Sequence, residues 1–316
     1  MKTIEIIKRI LIDLVKGTAA SLVSFLGLVV GGLVAGLLHL PSASLPAYAS
    51  MTVLLPLMLI TGIMIAIVLG ECFQRLKWGF WPRLLSIGIC HYLLYYALNL
   101  LDGLLFTPLP NMSTGFFADL FPAFFAAVVI AGLWRPKGEL LPAAKIIITF
   151  FSARRWPEWT WRFLVAWLIY PPIYYLMGRA VLPFVQHYYE DPSLGLGLSM
   201  PPSLGVLMGM QVLRGALFLI AVTPILFSWR GSRSWLWLWV GTVIFIQIAG
   251  QAILQAYWLP AGLRIPHSLE LLADSFVQAG FYAWLLFSLP VGSLAEAAIK
   301  GSAAGPEDQE LRTVNP

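Results

Sequence analysis

The chain has 316 residues, of which 59% are hydrophobic and only 11% charged, with a formal net charge of +5. A soluble domain carries about 25% charged residues and needs them to keep its surface wet, so this composition excludes an ordinary water-soluble globule. Two cysteines exclude a disulfide framework, and the basic excess reads as a membrane-topology signal, with no nucleic acid expected as a partner.

Apolar runs of about 20 residues, the length that crosses a hydrocarbon core, recur at 17–39, 51–72, 82–105, 115–134, 162–183, 204–228, 235–258 and 268–290. The expected fold class is all-α, a polytopic transmembrane helical bundle of about eight spans. Span one carries Gly27, Gly31 and Ala35 on one small face and Gly32 and Gly36 on another. Such faces let helix backbones approach closely where lipid supplies no hydrophobic drive. Ala47-Tyr48-Ala49 resembles a signal cleavage site, but the preceding apolar run is too long for a signal peptide. Span two contains Pro56 and ends at Cys72; like Cys90 in span three, this thiol reads as a small apolar residue.

Span three carries His91, Tyr95, Asn99 and Asp102 at steps of four, four and three, which places them on one helix face. Span four opens with Asp119 and contains Pro122. Between spans four and five, residues 136–161 form a linker: an apolar stretch too short to span, then Arg154, Arg155, Trp156, Trp159 and Trp161. Apolar, then basic and Trp-rich, is the composition of a segment lying in the headgroup layer and favouring anionic lipids. Span five holds Pro171, Pro172 and Arg179. Span six holds Gln211, Arg214 and Pro224, with a weaker small pair at Gly205 and Gly209. The prolines predict kinks. Gln247, Gln251 and Gln255 stripe span seven, again at steps of four, and Asp274, Gln278 and Tyr282 stripe span eight. The tail from 293 to 316 is polar and predicts disorder.

Seventeen of the twenty Lys and Arg residues fall in segments on one side of the spans. Basic connections stay in the cytoplasm. The expectation is a multi-pass protein of the cytoplasmic (inner) membrane with both termini cytoplasmic, which an even number of spans also requires.

The chain resembles itself. Thr107-Pro-Leu-Pro110 precedes Ala118-Asp119, and the segment from Leu259 to Pro266 precedes Ala273-Asp274, at an offset of 155 or 156 residues. The same offset lays His91, Tyr95 and Asn99 on Gln247, Gln251 and Gln255. The division expected is a basic segment 1–16, a four-helix half 17–135, the linker 136–161, a second four-helix half 162–292 and the tail. Four helices return the chain to its starting side, so the halves would be parallel repeats, an architecture used by transporters.

Arg214 lies about 15 Å into its span at 1.5 Å per residue, and an arginine there costs about 2.5–3.5 kcal/mol on insertion scales. Asp119 and Asp274 are its candidate carboxylate partners. The stripes predict either interhelical hydrogen bonds or a polar cavity between the halves, open outward and floored near His91, Gln247 and Arg214. The candidate cavity residues are His91, Tyr95, Asn99, Asp119, Gln211, Arg214, Gln247, Gln251, Gln255, Asp274 and Gln278. A transporter or permease-like component is the leading functional reading. With no P-loop in the chain, it would draw on an ion gradient or a separate membrane or ATPase subunit. A membrane scaffold is the alternative. An intramembrane enzyme on a lipid-like substrate is a weaker one, because no HExxH, GxSxG or clustered metal ligands occur. No catalytic residue, metal or cofactor is expected; His39, His187 and His267 stand on three different loops.

Overall fold

The computed structural model describes residues 2–41, 50–106, 113–198 and 203–288. Ala47-Tyr48-Ala49, Thr107-Pro-Leu-Pro110, and the end of the eighth run with the tail (289–316) lie outside the described residues. Among those described, besides a short 3-10 helix at Pro192–Leu194, the chain forms nine helices: α1 (Lys2–Leu37), α2 (Met51–Phe73), α3 (Phe80–Phe106), α4 (Thr114–Leu133), α5 (Ala143–Ser152), α6 (Trp156–Glu190), α7 (Leu204–Ser228), α8 (Arg233–Gln255) and α9 (Ala261–Leu286). No strand occurs among them, only an isolated bridge between Trp78 and Leu141.

Seven helices, α1 to α4 and α6 to α8, are long and apolar enough to cross a membrane. The chemistry of their surfaces runs inside out. Leu22, Leu26, Val29 and Leu33 of α1 are exposed, while Thr61, His91, Gln211 and Gln247 are buried. Water would reverse that arrangement; lipid rewards it. The chain is therefore a multi-pass integral membrane protein. In α9 the inversion is stronger still. Leu269, Leu272 and Trp284 face outward, whereas Glu270, Asp274, Gln278 and Tyr282 are buried. Its 26 residues make about 39 Å of helix, more than a hydrocarbon core of about 30 Å requires, but its polar face lowers its hydropathy.

The prolines explain two breaks. The helical pattern of α4 is interrupted at Asp119, three residues before Pro122, and that of α6 at Ile169, two before Pro171. Proline lacks the N–H that would bond four residues back, so the Ala118 carbonyl is released. It is received by α1: a Cβ at Gly31 would collide with the Ala118 carbonyl oxygen, and one at Gly27 would stand 2.5 Å from Pro122 Cα. Ser24 Oγ donates to the Pro122 carbonyl at 3.2 Å. The small face of α1 thus seats the proline-broken turn of α4. Gly32 and Gly36 have nothing within reach and lie on the exposed side of α1.

At the basic end of the bundle, Arg9 and Arg75 both pair with Glu71, tying α1 to α2. The short helix α5 is more embedded than a surface linker. Ile146 and Phe150 are buried, and Phe150 stacks on Trp159 with centroids 4.4 Å apart. Beyond it, Arg154 donates to the Phe287 carbonyl at 2.8 Å and Arg162 to the Leu285 carbonyl at 2.7 Å. Both guanidinium groups therefore cap the carbonyl end of α9, where positive charge is favourable.

Candidate functional site: a cavity at one end of the bundle

The stripes of α3 and α8 face each other. His91 Nδ1 donates to Gln247 Oε1 at 2.7 Å, and the Gln247 amide nitrogen points to Cys90 Sγ at 3.6 Å. One level further, Gln255 Nε2 donates to the Tyr95 hydroxyl at 2.5 Å. His91 and Tyr95 also stack, centroids 5.3 Å apart. All four side chains are buried. These contacts are interhelical hydrogen bonds, and neither His91 nor Gln247 lines the cavity described below.

Both helices carry a π turn at this level, Tyr92–Ala97 in α3 and Gly250–Gln255 in α8. A π turn widens the helix by one residue and departs from the four-residue spacing of the stripes. Gln251 consequently points outward and is exposed, instead of joining the row. Asn99 turns back on its own helix and donates to the Tyr95 carbonyl at 2.5 Å.

A cavity of about 440 Å³ opens at the end of the bundle opposite the basic connections, between α6, α7 and α9, with the last turns of α3 and α8 closing one side. Arg214 forms its floor. The guanidinium pairs with Asp102, not with Asp119 or Asp274, and lies over the rings of Tyr170 and Tyr174 at 5.5 and 5.9 Å. Asp102 sits near the end of α3, yet a long arginine can run its stem along the helices and deliver its head toward the surface. Depth of the Cα therefore misjudges which carboxylate it meets. Asp119 stands apart, beside Tyr92, Tyr95 and Tyr96.

The opposite wall is a ladder on α9. Arg264, His267, Glu270 and Asp274 recur at steps of three, three and four and line the cavity, with Gln278 and Tyr282 continuing the row below it. His267 Nδ1 donates to Glu270 Oε2 at 2.7 Å, which leaves Nε2 to accept from the Tyr189 hydroxyl at 2.8 Å. Gln278 Nε2 donates to the Tyr282 hydroxyl at 2.7 Å. Several buried polar atoms on α7 and α9 have no hydrogen-bond partner among the described residues: both amide atoms of Gln211, Arg214 Nε, Asp274 Oδ1 and Gln278 Oε1. Buried polar groups are nearly always satisfied; unpartnered atoms also occur far from the cavity, at Arg83, Trp134, Arg154 and Arg162, and of the atoms on α7 and α9 only those of Arg214 and Asp274 belong to side chains that line it.

Of the residues the sequence singles out, the structure gathers Asn99, Arg214 and Asp274 at the cavity. It buries Gln211 and Gln278 away from the cavity lining and locks His91, Tyr95, Gln247 and Gln255 into the seam between α3 and α8. Asp102, Tyr170, Tyr174, Tyr189, His267 and Glu270 belong to the site and were not among the candidates. The α9 spacing carried the signal for two of them, since His267 and Glu270 lie seven and four residues before Asp274 on one face. Among the described residues, no three His, Cys, Asp or Glu side chains converge to hold a metal ion. No known protein family, curated protein or solved structure matches the chain.

Proposed function

We propose that the protein is a carrier of the inner membrane that takes an amphipathic small molecule into this cavity from the extracytoplasmic side. The observation that carries this reading is a cavity with apolar walls and a buried ionic floor. Burying Arg214, Glu270 and Asp274 together beside a part-exposed Asp102 is costly in a bilayer, and a binding site is a reason to keep them. In this reading α9 is the eighth span, both termini are cytoplasmic and anionic lipids surround the basic face. Energy comes from an ion gradient or a partner subunit. The halves 17–135 and 162–292 are parallel repeats about an axis along the membrane normal. The matched π turns of α3 and α8 and the direct pairing of their stripes support that symmetry. A scaffold role has one observation of its own, the open face at Gly32 and Gly36, where a partner helix would seat.

Thiol accessibility tests the carrier reading. In a Cys72→Ser, Cys90→Ser background, single cysteines are placed at 99, 182, 207 and 271 in the cavity and at 91 and 247 in the seam. A membrane-impermeant maleimide applied to intact cells should label the cavity set and leave the seam set unlabelled. Silence at all four cavity positions removes the aqueous cavity, and the scaffold reading then leads.

A further inference from the structure

The floor of the cavity holds more acid than its own cation needs. Arg214 faces three carboxylates, Asp102, Glu270 and Asp274, and it is paired with only the first. Glu270 accepts from His267. Asp274 is 4% exposed, lines the cavity, and has a carboxylate oxygen with no partner. An ionised carboxylate so placed is expensive unless a positive charge answers it. The other two arginines of the lining cannot do so. Arg179 is exposed at the mouth, and Arg264 spends its Nε and Nη1 on the carbonyls of Leu259 and Ile253. Arg264 also stands ten residues from Asp274 on α9, about 15 Å along the axis.

The surroundings say what kind of cation fits. Metal ions such as calcium want about six to eight oxygens, and no cluster of three metal-binding side chains exists among the described residues. The floor already shows the alternative, because it holds the Arg214 guanidinium by one carboxylate and the faces of two tyrosines, and ring faces attract organic cations. Above it, Val181, Leu182, Val185, Leu207 and Leu271 offer apolar wall for the rest of a molecule. We infer that the ligand of this cavity is an organic monocation with an apolar body, its charged nitrogen set against Asp274 and Glu270. The inference rests on the cavity being the binding site, and its test separates the two.

Purified full-length protein in nanodiscs is titrated calorimetrically with hexyltrimethylammonium, hexanol and hexanoate, with empty nanodiscs as the blank. Leu207→Trp, which pushes an indole into the cavity, serves as the null variant. The cation should bind about tenfold or more tighter than either analogue. Asp274→Asn should remove that preference while leaving hexanol unchanged, and Glu270→Gln provides the same readout should Asp274→Asn not fold. A preference for hexanoate, or a cation preference that survives both variants, overturns the cationic ligand while binding sensitive to Leu207→Trp keeps the cavity as a site. If none of the three probes binds better than to Leu207→Trp, the cavity reading falls as well.

Discussion

Adding one methyl group to α1 should have opposite consequences on its two glycine faces. A Cβ at Gly27 would lie 2.5 Å from Pro122 Cα and 2.8 Å from the Phe121 carbonyl oxygen. An ordinary carbon–carbon contact is about 3.5–4.0 Å, so α1 must withdraw from α4 by about 1 Å. These are backbone atoms, and no rotamer change can relieve them. A gap of roughly 0.5–1 Å forfeits a quarter to a half of each dispersion contact along the seam, and overpacking of this kind costs about 1–3 kcal/mol. At Gly32 nothing lies within 4 Å, so the same substitution meets lipid. Alanine's better helix propensity, about 0.8–1.0 kcal/mol in water, applies at both positions and cancels in the comparison. The protein supplies its own reporter. Cys72 and Cys90 are fully buried, and a thiol-reactive fluorophore gains signal only as they become exposed on heating. At about 2–4 °C per kcal/mol, Gly27→Ala should melt about 2–12 °C below Gly32→Ala. Equal melting temperatures for the two variants would show that α1 does not seat α4 through this face.

The same assay addresses the ionic floor. Removing one partner of a buried ion pair costs about 3–5 kcal/mol, and Asp102 is 31% exposed on its side chain, so Asp102→Asn should fall at or below the lower end of that range. Combining it with Arg214→Met should recover most of the loss; a double variant as unstable as Asp102→Asn alone would place the defect elsewhere. Across the seam, a double-mutant cycle of His91→Ala and Gln247→Leu should give a coupling of about 0.6 kcal/mol, and no more than about 1.7, as for other hydrogen bonds between membrane helices. Additive effects would mean that the hydrogen bond contributes nothing to stability.

What the sequence made legible follows from periodicity and composition. Seven helices declare themselves by length and composition, whereas α9, expected as an eighth span, trades hydropathy for the ladder from Arg264 to Tyr282. The small face at Gly27 and Gly31 was legible as a packing surface; that Gly32 and Gly36 were left open was not, since spacing cannot say which side of a helix meets a neighbour. His91 and Gln247 were legible as aligned polar residues and expected at a cavity, but alignment also describes a seam, and only contact geometry separates a seam from a cavity wall. Arg214 was legible as a residue in need of a carboxylate. Its partner was not, because the side chain reaches along the bundle to Asp102 near a helix end, whereas matching by depth left Asp119 and Asp274 as the candidates. Gln251 shows a further limit, for it lies inside a π turn, where the four-residue spacing of the stripe does not hold.

Those turns also govern the ionic floor from a distance. A π turn accommodates one residue more than the α turn it replaces, and one residue is about 100° of rotation around the axis. Asp102 stands five residues beyond Ala97, on the far side of the widened turn from His91. Were that turn to tighten into regular helix, the segment from Leu98 to Phe106 would screw around its axis while His91 stayed hydrogen-bonded to Gln247. Asp102 would swing away from Arg214 and Asn99 would leave the cavity wall. The seam would thus serve as a fixed bearing, and the end of α3 as the shaft whose angle decides whether the arginine keeps its counter-ion.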